Sequence, residues 1–222
     1  PEPLDCATVG SWSSEGVQVD SAEAVPASEE LPAHCKAAGT IGTEVHFELL
    51  LPVHEGWNGR FVMGGGGGFV GSVQNMAMAP LPGGNALKRG FATVGTDTGH
   101  TGTGIDASWA LENEEREIDF GYRAVHRTTE VAKAIIQDYY AREIDNSYFI
   151  GCSRGGGQAM IEAQRFPADY DGIVAMAPAF SWPRLTAGFL QNAQKVYPDA
   201  GDLSRPVITA RNRALLEGEI LA

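Results

Sequence analysis

The chain has 222 residues, 43% of them hydrophobic and 20% charged, with a formal net charge of −12. This composition suits one globular core with room for an appendage, and the acidic balance argues against nucleic acid or an anionic membrane surface as partner. No apolar run approaches the length of a membrane span, and no basic n-region followed by an apolar h-region opens the chain.

The start on Pro1 is read as a mature or trimmed terminus from which an export signal has been removed. Residues 1–40 contain few periodic segments apart from a short strand at Val17–Val19. Cys6 and Cys35 flank a Pro-, Ser- and Glu-rich stretch with no hydrophobic period. This part is therefore expected to be an N-terminal excursion stapled by a Cys6–Cys35 disulfide, which points to an oxidising compartment, secreted or periplasmic. Two unrelated buried thiols are the alternative. Closing such a loop stabilises by about 3 kcal/mol in the chain-entropy model. Cys152 is left without a partner in the chain, which suggests one elsewhere.

Sheet is expected to begin after residue 40. Glu44–Leu51 alternates and then becomes a continuous apolar run stopped by Pro52; after the turn-like Glu55–Gly59, a second strand follows at Gly59–Met63. These two are expected to be neighbours. A short helix over Gly83–Lys88, a third strand over Phe91–Thr96 and a polar loop from Asp97 to Gly102 come next. From Asp119 to Tyr140 the period becomes helical, with Ala124, Thr128, Val131, Ile135 and Tyr139 on one face. Ser147–Gly151 is a strand, Gly155–Arg165 a helix ended by Phe166-Pro167, and Gly172–Pro178 another buried strand. That order predicts an α/β fold with parallel strands buried on both faces.

Two glycine-rich segments carry the chemistry. Gly151-Cys152-Ser153-Arg154-Gly155 fits G-x-S-x-G between a strand and a helix, the nucleophile elbow of the α/β-hydrolase fold, in which small neighbours let a strained turn present the serine hydroxyl. Gly64–Gly68 is an unbroken run of five glycines after the second strand, where several N–H groups can turn toward one anion. The amide of Arg154 and one amide near Gly67 or Gly68 would then bind a tetrahedral oxyanion. Gly66–Gly71 also matches G-x-G-x-x-G, so a nucleotide-dependent oxidoreductase is a competing reading, and a flexible loop a third.

A serine nucleophile needs a base, in this fold a histidine that follows it. All five histidines, His34, His46, His54, His100 and His126, precede Ser153. Either His100 or His126 acts out of order, or acid and base come from a segment beyond residue 222. A structural role is the expectation for both: His126 on the helix, His100 holding its loop to Asp97. Asp169 and Asp171, in the turn after the elbow helix, are read as serving turn geometry.

The chain resembles the tannase and feruloyl esterase family of α/β-hydrolases. The resemblance rests on Leu51-Pro52 with Trp57–Phe61, Gly64–Gly68 with Phe69-Val70-Gly71, Thr96–His100, Asp119–His126, Gly151–Gly156 and Glu162–Pro167. It implies an extracellular or periplasmic carboxylic-ester hydrolase acting on galloyl-, feruloyl- or related aromatic-acid esters, with Ser153 as nucleophile. It further implies that Cys152 bonds to a cysteine beside the catalytic histidine outside these residues, on the same chain or on a disulfide-linked second chain of one precursor. Residues 1–180 would be the first part of the catalytic domain and 181–222, with Phe189, Leu190, Val196 and Tyr197, the start of an inserted lid. The family's structural calcium would belong to the lid beyond residue 222, and no cofactor or metal ligand is assigned within the chain. A fragment that binds aromatic esters without turning them over is the remaining alternative.

Overall fold

In a computed structural model describing residues 5–80 and 83–221, the chain divides into two compact units, Pro1–Phe180 and Ser181–Ala222. The first is built on an eight-stranded sheet: β1 (Ser13–Ser14), β2 (Val17–Val25), β3 (His34–Ile41), β4 (Val45–Pro52), β5 (Arg60–Gly64), β6 (Ala92–Thr96), β7 (Asn146–Cys152) and β8 (Gly172–Met176), in the order β1-β2-β3-β4-β6-β5-β7-β8. β1 to β4 and β6 pair antiparallel; β6, β5, β7 and β8 run parallel.

The core follows from the apolar strands. Leu49, Leu51, Phe61, Met63, Val94 and Phe149 are fully or almost fully buried, as strands covered on both faces must be. Helix α3 (Ala124–Tyr140) crosses the sheet with Ala124, Val125, Val131, Ala132, Ile135 and Ile136 inward. At its end Tyr140 stacks on Trp57 at 3.8 Å, and its hydroxyl donates to the Pro52 carbonyl at 2.7 Å, which anchors α3 to β4. Ahead of α3, α2 (Glu114–Ile118) runs into a π-helical turn, Asp119–Arg123, wider than the α-helix it leads into. Helix α4 (Arg154–Arg165) links β7 to β8.

Three sequence expectations change. Residues 13–41 are not an irregular excursion: β1, β2 and β3 extend the sheet as an antiparallel flap, and Val25 pairs with His34 across its far end. The alternation of β2 was masked by Ala22 and Ala24, whose small side chains carry little period signal. The strands at 45–52 and 60–64 are not neighbours, because β6 lies between them; local sequence does not encode this crossover. The helix expected over 83–88 is a single 3₁₀ turn, Leu87–Arg89, closed by Gly90 at φ 79°.

Helix α1 (Cys6–Val9) is capped by Asp5, whose carboxylate accepts from the Thr8 N–H at 2.7 Å, and Cys6 is joined to Cys35 of β3. In the second unit, α5 (Trp182–Val196) begins with proline in its first turn, and α6 (Ala210–Leu221) follows a turn in which the Asn212 side chain donates to the Val207 carbonyl at 2.9 Å.

The Cys6–Cys35 link closes a separation of 29 residues, so its removal frees mainly the unfolded chain. Replacing both cysteines with alanine should lower unfolding free energy by about 2–4 kcal/mol, seen as a shift in urea midpoint; an unchanged midpoint would contradict this.

Candidate active site

Strand β7 ends at Cys152, and the chain turns on Ser153 (φ 57°, ψ −118°) before α4 starts at Arg154. A positive φ at a non-glycine costs about 1–3 kcal/mol and persists only where its surroundings impose it. Three backbone bonds do so here: Ser153 N–H to the Met176 carbonyl at 3.1 Å, and Ala179 N–H and Gly157 N–H to the Ser153 carbonyl at 2.8 and 3.0 Å. The turn is tight enough that a methyl at Gly151 would lie 2.2 Å from the Gly155 carbonyl oxygen. Ser153 is exposed, while the helix behind it is buried from Arg154 through Ala159. Its hydroxyl accepts no proton-donor contact and makes no hydrogen bond among the described residues, which leaves it available to a substrate.

The glycine run lies against this elbow. A methyl at Gly65 would sit 2.7 Å from the Gly155 Cα, so the two backbones touch where no side chain fits. Its amides are then distributed one by one. Gly65 N–H donates to the Ile150 carbonyl at 2.9 Å, Gly66 N–H to Gln158 Oε1 at 3.1 Å and Gly67 N–H to Gln74 Oε1 at 2.7 Å. Gly68 N–H has no acceptor among the described residues. Gly68 has φ +57°, and a methyl there would lie 2.2 Å from the Gly104 carbonyl oxygen. Of the two glycines nominated from sequence, Gly67 is thus engaged at rest and Gly68 is free. The Arg154 amide, at the first position of α4, lacks an intrahelical acceptor, as the leading N–H groups of any helix do.

No helix opens after Gly71; the next helical turn is the 3₁₀ turn Met76–Met78. A dinucleotide fingerprint requires its glycines to lead directly into a helix whose N-terminus holds the pyrophosphate, so the Gly66–Gly71 match does not form that site.

Each histidine is engaged away from Ser153. His34 Nδ1 faces the Pro32 carbonyl at 2.8 Å, His46 Nδ1 the Asp97 carboxylate at 2.6 Å, and His54 Nε2 the Tyr139 carbonyl at 3.0 Å. His100 does hold its loop, though not to Asp97. It is 1% exposed, stacks on Trp109 at 3.7 Å, and its Nε2 donates to the Phe69 carbonyl at 2.9 Å, tying the 97–104 loop to the glycine run. Asp97 instead accepts from the His46 and Gly99 amides at 3.0 and 2.8 Å. Gly71 N–H to the Asp97 carbonyl and Phe69 N–H to the Gly104 carbonyl complete the clamp at 3.1 and 2.9 Å. His126 Nδ1 meets Asp169 Oδ2 at 2.7 Å, so Asp169 does more than shape its turn. Asp171 accepts from the Ser147 amide at 2.8 Å.

Sequence reasoning missed the side chain of Arg154. It is 2% exposed, lies 4.1 Å over the Phe120 ring and donates through Nη2 to the Phe120 and Gly121 carbonyls of the π-helical turn. Burial pulls its guanidinium down to about 10. These contacts pin the elbow helix to the π-helical turn. Cys152, half-buried beside the serine, is unpaired among the described residues.

A family model described as tannase and feruloyl esterase matches residues 30–221. A mono(2-hydroxyethyl) terephthalate hydrolase from Piscinibacter sakaiensis is 35% identical over 219 residues, covering 90% of this chain and 36% of that protein. A probable feruloyl esterase from Arthroderma benhamiae is 37% identical, covering 71% and 30% respectively. Among solved structures, feruloyl esterase B from Aspergillus oryzae aligns with a TM-score of 0.74 at 31% identity, over 86% of this chain and 42% of that one, and a second Aspergillus oryzae esterase with a TM-score of 0.75 at 28% identity. The chain spans about a third of the length of the curated relatives it matches. The fold is that of the α/β-hydrolases, and the chain belongs to the tannase and feruloyl esterase family.

Proposed function

We propose that this chain supplies the nucleophile and oxyanion hole of a serine carboxylesterase acting on esters of aromatic acids. The observation that carries the reading is the elbow: an exposed serine at φ 57°, followed by the Arg154 amide and packed through Gly155 against the start of a glycine run in which the Gly68 amide has no acceptor among the described residues. Ser153 attacks the ester carbonyl, its proton passes to a general base, and the carbonyl oxygen becomes an oxyanion that accepts from the two amides. The intermediate collapses, breaking the ester C–O bond and releasing the alcohol with the proton from the base. Water, deprotonated by the same base, then attacks the acyl-serine, and collapse of this second intermediate releases the aromatic acid and returns the proton to Ser153. The substrate class is carried from relatives named as feruloyl esterases and as a hydrolase of a terephthalate monoester.

In this reading the base comes from a segment beyond residue 222. All five histidines are committed to other partners, and none contacts Ser153. In this reading Cys152 is the attachment point: a disulfide from it to a cysteine near the catalytic histidine would hold the base over the serine, in the same chain or in a second one. A structural calcium would lie in the lid, outside these residues. Such an enzyme works in an oxidising compartment, secreted or periplasmic, consistent with the Cys6–Cys35 disulfide. Among the described residues no helix is long and apolar enough to cross a membrane.

In the active protein that carries this chain, Ser153→Ala should lower kcat for an aryl ester by at least about 10³-fold; retention of a tenth of the activity would sink the assignment. Gly68→Ala, which drives a methyl into the Gly104 carbonyl, should cost about 10²-fold in kcat with little change in KM, because the lost donor acts in the transition state. A change confined to KM would place Gly68 in substrate binding instead. Intact mass before and after reduction tests Cys152: a mass loss, or a Cys152 peptide cross-linked to another segment, is expected, and a free Cys152 thiol in active protein would refute the attachment.

A further inference from the structure

The helix behind the elbow carries a second group of chemistry-bearing side chains that ester hydrolysis does not use. Glu162 of α4 is 0% exposed, and neither of its oxygens has a hydrogen-bond donor among the described residues. It faces another carboxylate, Asp169 in the turn after α4, and the imidazole of His126 on α3. One ligand atom from each of the three lies within 4.8 Å of the other two. Two carboxylates brought together out of water with no donor between them repel, so a proton or a cation must lie between them.

The histidine points to the cation. Its ring is fixed by stacking on Phe166 at 3.8 Å and 5°, and its Nδ1 is directed at the Asp169 carboxylate at 2.7 Å. The other ring nitrogen, Nε2, faces Glu130 at 3.7 Å. A carboxylate behind the far nitrogen is how metal-binding histidines are commonly oriented. We propose that His126, Glu162 and Asp169 form a three-ligand site for a first-row divalent cation, Zn²⁺ being the ion to test first. One imidazole nitrogen and two carboxylates favour such ions over Ca²⁺ and Mg²⁺, which prefer all-oxygen shells.

Zinc bonds of about 2.0–2.2 Å place tetrahedral ligand atoms about 3.4 Å apart, so the His126–Asp169 pair, now at 2.7 Å, opens slightly while any wider separation in the trio, all within 4.8 Å, closes. The side chains of His126 and Asp169 are 23% and 14% exposed, which gives an entry path and leaves a position for water, with Glu162 as the closed floor. An ion would replace the one proton that otherwise lies between the two carboxylates, released to solvent, while His126 ligates through Nδ1 with its own proton on Nε2. Lys133 opposes the ion: its ammonium donates to the Asp169 carbonyl and contributes a nearby positive charge. Asp171 adds a negative charge near Lys133. A bound ion would clamp α3, α4 and the turn leading to β8.

The test needs no turnover. Protein stripped with a chelator is titrated with Zn²⁺, Mn²⁺ and Ca²⁺; Tm is followed, and bound metal is measured after desalting. With Ca²⁺ restored throughout to fill the lid, one further equivalent of Zn²⁺ should be retained and should raise Tm beyond the Ca²⁺ value, and excess Ca²⁺ should not displace it. Glu162→Gln and His126→Gln should each weaken Zn²⁺ binding by at least about tenfold, and Lys133→Met should tighten it. No retained metal and an unchanged Tm would show that a proton alone holds the pair. Equal retention by wild type and both glutamine variants would place the metal elsewhere. If Glu162→Gln does not fold, His126→Gln, altered at a partly exposed position, decides the matter alone.

Discussion

The backbone contact between Gly65 and Gly155 is the constraint on which the site depends. One glycine follows β5 and the other opens α4, and a methyl on the first would lie 2.7 Å from the Cα of the second. With the side chains removed, the loop that ends one parallel strand can rest on the helix that begins after its neighbour. Gln158 of α4 then reaches the Gly66 amide at 3.1 Å and fixes the loop's orientation, while Gln74 takes the next amide. The first free amide in the run is Gly68, held at φ +57° by the Gly104 segment. The amides of Gly65, Gly66 and Gly67 each have an internal acceptor, and the Gly68 N–H is left without one among the described residues.

The rest of the unit reads as support for that arrangement. Parallel pairing of β5 and β7 aligns Gly64 with Ile150, which brings the glycine run level with the elbow. The strain at Ser153 is held by bonds to Met176 and Ala179, so β8 and the residues after it are part of the elbow even though they touch no substrate. From the other side, His100 and Asp97 clamp the loop, and Arg154 bonds the helix to the π-helical turn. Ser153 and the glycine run are therefore both held by packed, hydrogen-bonded elements.

The elbow and the glycine run were legible in the sequence because each is a local backbone requirement: close approach or positive φ admits few residue types, and their spacing is fixed. The helices at 124–140 and 154–165 were legible because their period is strong. What escaped was non-local. Nothing near β4 or β5 in the chain announces that β6 inserts between them, and β2 hides its alternation behind alanines. The partners of His100, His126 and Arg154 lie 31, 43 and 34 residues away, and pairings at such distances follow from the fold. Glu162 was visible as a helical residue and as part of the Glu162–Pro167 motif, but its burial near Asp169 appears once the turn after α4 folds back.

The account's central claim is that Ser153 faces an oxyanion hole made by Arg154 and Gly68. A crystal structure of the active protein after reaction with an aryl phosphonate tests it directly. The account predicts phosphorus bonded to Ser153 Oγ and the phosphoryl oxygen about 3 Å from both the Arg154 and Gly68 amide nitrogens. An adduct on another residue, or a phosphoryl oxygen bonded to neither amide, would contradict it.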